Sequence, residues 1–290
     1  MATTLNLTTT YAGEHAGQYI SAALLSGKTL DSNAITIKPN IKYKEVIKNM
    51  SASSLVQDAT CDFDPTGVVT LTERILQPSE KQVNMQLCKQ DFQQDWEAIS
   101  MGFSAFDTLP KNFADYLIGH VAAKVAENTE QFIWSQFDTI FNAGGSGVVN
   151  NGSTATLDAA NVDDELAGVL DAVPNSIYDA EDLTFYVSPK IAKLYMRNLG
   201  AANYQFMASV EKKPLNFEGI DLQVCPGLGA DQIVAAQKSN LYFGCGLLND
   251  TNEVRVIDMA DIDGSQNVRM IMRFTRGVQF GIGSEIVLNR

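Results

Sequence analysis

The chain is poor in the residue types that most often carry chemistry. Histidine occurs twice, at His15 and His120, and cysteine four times, at Cys61, Cys88, Cys225 and Cys245. No cysteine pair forms Cys-x-x-Cys and no histidine lies near a cysteine in sequence, which speaks against a structural zinc site and a redox dithiol. The four cysteines read as buried or half-buried thiols in a reducing compartment. No apolar run approaches the roughly 18 residues of a membrane span. The first ten residues have neither the basic start nor the apolar core of a secretory signal. Lysine and arginine are missing altogether from residues 125–189, a window that holds eleven acids from Glu127 to Asp182.

What is present is a globular composition. Of 290 residues, 45% are hydrophobic and 19% charged, which excludes a disordered chain and fits one or two domains. Acids number 34 against 21 bases, a net charge of −13. Such a chain lacks the basic footprint needed to grip nucleic acid through its phosphates, and an anionic membrane surface is disfavoured for the same reason. The charge is unevenly spread. Residues 1–57 hold five lysines against Glu14, Asp31 and Glu45, a local balance of +2 that leaves −15 for the remainder. The acidic window is either a solvated face that aids solubility or a surface that repels polyanions or meets the basic N-terminal part of a neighbouring copy.

Periodicity sets the order of parts. Residues 1–34 are rich in Thr, Ala, Ser and Gly, with a short helical signal at 16–25, and read as an arm. Residues 35–48 alternate with period two, 68–76 are again β-rich, and 81–89 alternate through Val83, Met85 and Leu87. Turn chemistry lies at 51–58 and 62–67. Residues 36–80 thus read as a long two-stranded excursion. Such a hairpin has too little apolar surface to stand alone, so it must lie on something else.

The strongest signal lies over 107–143, a helix of about 30 residues that Asp107 and Thr108 can cap, with Pro110 in the first turn and its end before Ala143. Its apolar stripe runs from Phe113 through Val121, Val125 and Ile133 to Phe137. After a Gly/Ser/Asn-rich linker at 142–156 the pattern becomes α/β. Helices are expected at 162–173 and 190–199, and strands at 183–187, 215–224, 232–236, 240–244 and 254–259. The tail, 268–274 and 278–288, reads as a hairpin turning at Arg276-Gly277.

No convergent catalytic set emerges. His120 sits at the border of the helix stripe. Gly144-Gly-Ser146-Gly-Val148 lacks the final glycine of a nucleophile elbow, and no strand precedes it. The glycines at 144–147 and 227–230 are too few for a dinucleotide fingerprint and read as linker and turn. Asp261-Ile-Asp263-Gly264 lacks the remaining ligands of a calcium loop. No catalytic, cofactor-binding or metal residue is assigned.

The order of parts, together with the segments 12–20, 35–44, 82–89 and 274–283, resembles the major capsid proteins of tailed bacteriophages. The resemblance spans nearly the whole chain. It implies an α+β chain with the Hong Kong 97-type capsid fold: an N-terminal arm at 1–34 and an extended β loop at 35–80. A peripheral domain would comprise 81–156 and 261–290, with its spine helix at 110–141, and an axial α/β domain would comprise 157–260. It implies a structural protein, not an enzyme, that assembles with copies of itself into the hexamers and pentamers of an icosahedral shell. That shell would enclose double-stranded DNA without tight binding, as part of a virion built in the host cytoplasm. Portal, scaffolding and decoration proteins are the further partners, with no membrane and no cofactor.

On this reading Lys42, Lys44, Lys48 and Arg74, with Phe63, lie at the interface with a neighbouring copy, the cations meeting its carboxylates. The lysine–asparagine crosslink of some members is not carried over, because the asparagine and the assisting glutamate have no assignable positions. No charged coiled-coil leader precedes residue 10, which implies either a separate scaffold or the mature form, and a start at Met1 favours the separate scaffold. An encapsulin-like nanocompartment shell, a cytoplasmic α/β enzyme with an unrecognised carboxylate site, and a tail or baseplate protein remain as alternatives.

Overall fold

A computed structural model describes residues 27–53, 56, 58, 59, 61, 67–88, 111–152, 157–201, 215–246 and 254–290. The helical signal at 16–25, His15, the turn containing Phe63 and the caps Asp107, Thr108 and Pro110 lie outside the described residues. In chain order the elements are α1 (Lys28–Asp31), β1 (Thr36–Lys38), β2 (Glu45–Ser53), β3 (Val68–Leu76), β4 (Ser79–Cys88) and α2 (Lys111–Phe141). Next come β5 (Val149–Asn150), α3 (Val162–Asp171), β6 (Leu183–Val187), α4 (Pro189–Ala201), β7 (Leu215–Phe217), β8 (Ile220–Val224) and β9 (Ile233–Gln237). The chain ends with β10 (Leu241–Gly244), β11 (Val254–Asp258), β12 (Asn267–Phe280) and β13 (Val287–Asn289). Among the described residues no helix is long and apolar enough to cross a membrane.

The chain divides into two compact units, one containing Ser79–Thr129 and Gly246–Arg276, the other Lys28–Pro78, Glu130–Cys245 and Gly277–Arg290. Helix α2 and strand β12 each run through both. In the first unit β12 pairs antiparallel with β11 on one side and β4 on the other. Its residues alternate, so Val268, Met270, Met272 and Phe274 are buried. Met270, Met272 and Phe274 pack on Val121 and Val125 of α2, with Val83 and Met85 of β4 beside them. A period of two on the strand thus meets a period of four on the helix, the arithmetic of a one-sided antiparallel sheet.

The second unit is built on a six-stranded sheet of order β5-β13-β9-β6-β8-β7. Strand β6 is central and buried throughout, which suits its continuous apolar run. Leu183, Phe185 and Val187 face a core with Val162, Leu166 and Val169 of α3 and Ile191 and Tyr195 of α4. Tyr186 turns to the opposite side, where its ring lies 5.2 Å from that of Trp134. Rings continue along the helix from Trp134 to Phe137 (5.7 Å) and on to Phe141 (5.3 Å), which meets Phe280 at 5.4 Å. Truncating a ring so buried typically costs about 3–5 kcal/mol. Helix α4 begins at Pro189, with the Ser188 hydroxyl accepting the Ile191 N–H at 3.3 Å, a proline-at-first-turn start.

The structure corrects several expectations. The tail is not a hairpin at Arg276-Gly277: β12 runs straight through both residues for 14 positions. Gly277 is there for close approach, since a Cβ would lie 2.9 Å from Pro78 Cα and 3.0 Å from the Gln77 carbonyl. The alternation over 35–48 belongs to two strands, β1 pairing parallel with β10 and β2 pairing with β3. The single strand expected at 215–224 is a tight hairpin instead, with Glu218 (φ 48) and Gly219 (φ 90) turning β7 into β8. Cys61 is exposed, unlike buried Cys225 and Cys245. Glu130, counted with the acidic surface, is only 4% exposed.

Candidate functional site

Strands β2 and β3 form a two-stranded ribbon that, among the described residues, pairs with no third strand. Its root is fixed within the second unit. Leu76 is fully buried, Ile41 is 7% exposed, and the Ile41 N–H donates to the Cys245 carbonyl at 3.0 Å. Gln279 donates its side-chain amide to the Ile75 carbonyl at 2.9 Å. Arg74 holds the root most firmly. Its Nε donates to the Gly281 carbonyl at 3.0 Å, its Nη2 to the Ser146 carbonyl at 2.6 Å, and its guanidinium lies 4.0 Å from the centre of the Phe280 ring. Burial lowers the pKa of this guanidinium from its ordinary value.

Beyond the root the ribbon has two unlike faces, set by its register. Val46 pairs with Ile75, Lys48 with Glu73, Met50 with Leu71 and Ala52 with Val69. Side chains opposite one another share a face, so this face carries five large apolar residues around a single Lys–Glu pair. All five are uncovered: Met50 is 67% exposed, Leu71 62%, Val69 53%, Ile75 49% and Val46 38%. The intervening positions, Asn49, Ser51, Ser53, Thr70 and Thr72, make the opposite face mostly polar, with exposed Val68 at its tip. An exposed apolar face of this kind, interrupted by the Lys48–Glu73 pair, on a ribbon with no core of its own is the type of surface that partners cover.

The expected interface residues fall in different settings. Lys42 and Lys44 are exposed on the loop entering the ribbon, Lys44 lying over the Tyr43 ring at 5.9 Å. Lys48 is exposed on the apolar face, opposite Glu73. Arg74 directs its hydrogen bonds to its own chain. Phe63 lies outside the described residues. The strip of Met50, Leu71, Val69, Ile75 and Val46 was not singled out by sequence. Its signal was alternation on both strands, which shows which residues share a face only once the register is known.

Buried titratable groups elsewhere have structural settings. The Thr29 N–H donates to Glu130 Oε2 at 3.1 Å, the Thr29 hydroxyl donates to Glu130 Oε1, and Trp134 Nε1 donates to Thr29 Oγ1 at 3.0 Å. The Tyr186 hydroxyl donates to the Ala34 carbonyl, and burial pushes its pKa well up. Burial likewise pushes the Cys225 thiol up to about 12, leaving it inert at neutral pH. Burial would raise the Asp182 pKa, but hydrogen bonds from the Ser239 hydroxyl and N–H and the Gln237 amide outweigh it and hold the carboxyl low. Among the described residues no group of three or more His, Cys, Asp or Glu is placed to hold a metal ion.

The chain matches no protein-family model and no curated protein sequence. Solved structures are similar over almost its full length. One is the capsid of a native GTA particle, at TM-score 0.62 and 14% identity, covering 99% of this chain and 94% of that one. Another is from Mycobacterium phage Che8, at TM-score 0.59 and 16% identity, covering 99% and 97%. A third is a virus-like particle from Pyrococcus furiosus, at TM-score 0.54 and 10% identity, covering 93% and 96%. The fold is therefore shared with these structures over almost the whole chain. The chain has the α+β Hong Kong 97-type capsid fold.

Proposed function

We propose that this chain is the major capsid protein of a tailed bacteriophage, a structural subunit that assembles with its own copies into an icosahedral shell. The observation that carries this reading is fold similarity to capsid subunits over nearly the whole of both chains. The exposed apolar face of the ribbon supports it independently, since a face of this kind needs a partner. Residues 1–34 act as the arm and 35–80 as the extended loop on a neighbour. Residues 81–156 and 261–290 form the peripheral domain, and 157–260 the axial domain at the centres of hexamers and pentamers. The loop's apolar strip packs on the adjacent copy, with Lys42, Lys44 and Lys48 meeting its carboxylates and Phe63 joining the contact. The shell encloses double-stranded DNA, its net charge of −13 keeping the wall from sticking to the polyanion. Portal, scaffolding and decoration proteins complete a virion assembled in the host cytoplasm.

The similarity to a virus-like particle favours a second reading, a nanocompartment shell that packages protein. Expression of the full chain, followed by sedimentation and negative-stain microscopy, tests both. Closed particles support a shell, and a discrete monomer or small oligomer overturns it. Nuclease-protected double-stranded DNA in particles from infected cells supports the phage reading, whereas a uniform protein cargo favours the second. Met50→Asp with Leu71→Asp, and Lys42→Glu with Lys44→Glu, are expected to abolish particles while leaving the subunit's circular dichroism unchanged. Unaltered particle yield from both variants refutes the role of the ribbon.

A further inference from the structure

The first unit contains a groove of ≈ 450 Å³ between α2, β4 and β12. Its floor is apolar, formed by Val83, Met85, Val125 and Phe274. Its charged lining is of one sign, Lys81, Lys124 and Arg276, with the polar Gln82, Asn128 and His120 beside them and no aspartate or glutamate among the lining residues. Lys124 makes one exposed ion pair, to Glu127 at 2.9 Å. Arg276 is 7% exposed and donates to the neutral oxygens Thr129 Oγ1 (3.0 Å) and Asn128 Oδ1 (2.8 Å). A cationic site with a low-dielectric floor, on a subunit of net charge −13, selects an occupant that is both apolar and acidic.

The chain itself presents such a segment. Among the described residues two exposed large apolar side chains are aromatic, Tyr43 at 69% and Tyr178 at 47%. Tyr43 stands between Lys42 and Lys44, so the groove repels it. Tyr178 is followed by Asp179 and Glu181, both exposed, within the window that has no lysine or arginine. The Tyr178 loop is preformed. Its turns are held by Ile177 N–H to the Pro174 carbonyl (3.0 Å) and Ala180 N–H to the Ile177 carbonyl (3.1 Å), and Ile177 is buried beneath. A preformed knob loses little entropy on docking.

We propose that the groove receives the loop at 178–181 of a second copy. The Tyr178 ring sits on the apolar floor, and Asp179 and Glu181 face Lys81 and Lys124. The inference rests on the self-assembly reading and adds to it a contact separate from the ribbon. It is tested with three full-length variants: Lys81→Glu with Lys124→Glu (groove reversed), Asp179→Lys with Glu181→Lys (loop reversed), and all four together. Association is read by sedimentation velocity and microscopy, with circular dichroism as the folding control. Each pair alone is expected to weaken association at least about tenfold, equivalent to about 1.4 kcal/mol. The fourfold variant, and a mixture of the two pair variants, are expected to restore it, because both regenerate opposite charges across the contact. Tyr178→Ser weakens association without changing its salt dependence.

A fourfold variant no better than the pairs overturns the proposal. So does a loop reversal that associates like the unaltered chain while the groove reversal fails, which assigns the groove to another occupant. Shells that form equally well in every variant sink this contact and leave the self-assembly reading standing. Small oligomers that follow the charge pattern without closed shells do the reverse, and an unaltered chain that never associates overturns both.

Discussion

Arg74→Ala separates a contact within the subunit from a contact between copies. The side chain makes two charge-assisted hydrogen bonds to main-chain carbonyls, 3.0 Å to Gly281 and 2.6 Å to Ser146, and stacks 4.0 Å from the Phe280 ring centre. Hydrogen bonds from a charged donor contribute about 1.5–3 kcal/mol each and a cation–π contact about 0.5–2 kcal/mol. The site is only half-buried, so the low ends apply and the loss is about 3.5 kcal/mol. For a unit of this size that lowers Tm by roughly 7–14 °C. Arg74→Lys keeps the charge but not the planar fork that reaches both carbonyls, and is expected to recover less than half. Calorimetry of the dissociated subunit measures the shift. Trp134 fluorescence in a Trp96→Phe background follows the unit that holds Arg74. A fall of less than about 2 °C accompanied by lost particle formation would refute this account and place Arg74 between copies.

Gly277→Ala is expected to destabilise by about 1–3 kcal/mol, because its Cβ meets backbone at Pro78 and Gln77; an unchanged Tm refutes the close-approach argument. Cys225, its thiol pushed by burial from 9.0 to about 12, keeps a proton that the unfolded chain releases. Its contribution is therefore fully present below pH 9 and lost as pH rises toward 12, with a slope of up to ~1.4 kcal/mol per pH unit that Cys225→Ala removes. If the alkaline slopes of the two chains coincide, the argument is wrong. A thiol reagent at pH 8 should label exposed Cys61 at once and Cys225 only on unfolding.

Strong local periodicity made some elements legible from sequence. Helix α2 was expected at 110–141 and spans Lys111–Phe141, while β3 and β6 fall where 68–76 and 183–187 placed them. Each carries its own signal: a four-residue apolar repeat in α2, a stretch rich in Val, Thr and Ile in β3, and a short apolar and aromatic run in β6. What failed depends on residues distant in sequence. Gly277 looks like a turn until Pro78 is seen against it. Arg74 looks like a free cation on a strand, yet its acceptors lie 72 and 207 positions away. The apolar face of the ribbon had every residue visible and still was not legible. A shift of register by one residue would have divided Met50 and Leu71 between opposite faces.

Glu130 shows how composition misplaces a charge. In sequence it is one of eleven acids in a stretch without lysine or arginine, and a surface acid is the natural reading. In the fold its two oxygens accept separately from the N–H and the hydroxyl of Thr29, whose oxygen accepts in turn from Trp134. A buried carboxylate persists only where hydrogen bonds replace water, and here a main-chain donor and a hydroxyl do so. Glutamine at this position would offer one oxygen and an amide that donates, so it could not accept both bonds on separate atoms. The carboxylate is therefore required by the packing of residues 28–34, where Leu30 and Ala34 are buried and Tyr186 holds the Ala34 carbonyl. The same window holds this one buried acid among exposed ones such as Asp179 and Glu181. The exposed acids alone are available to a partner.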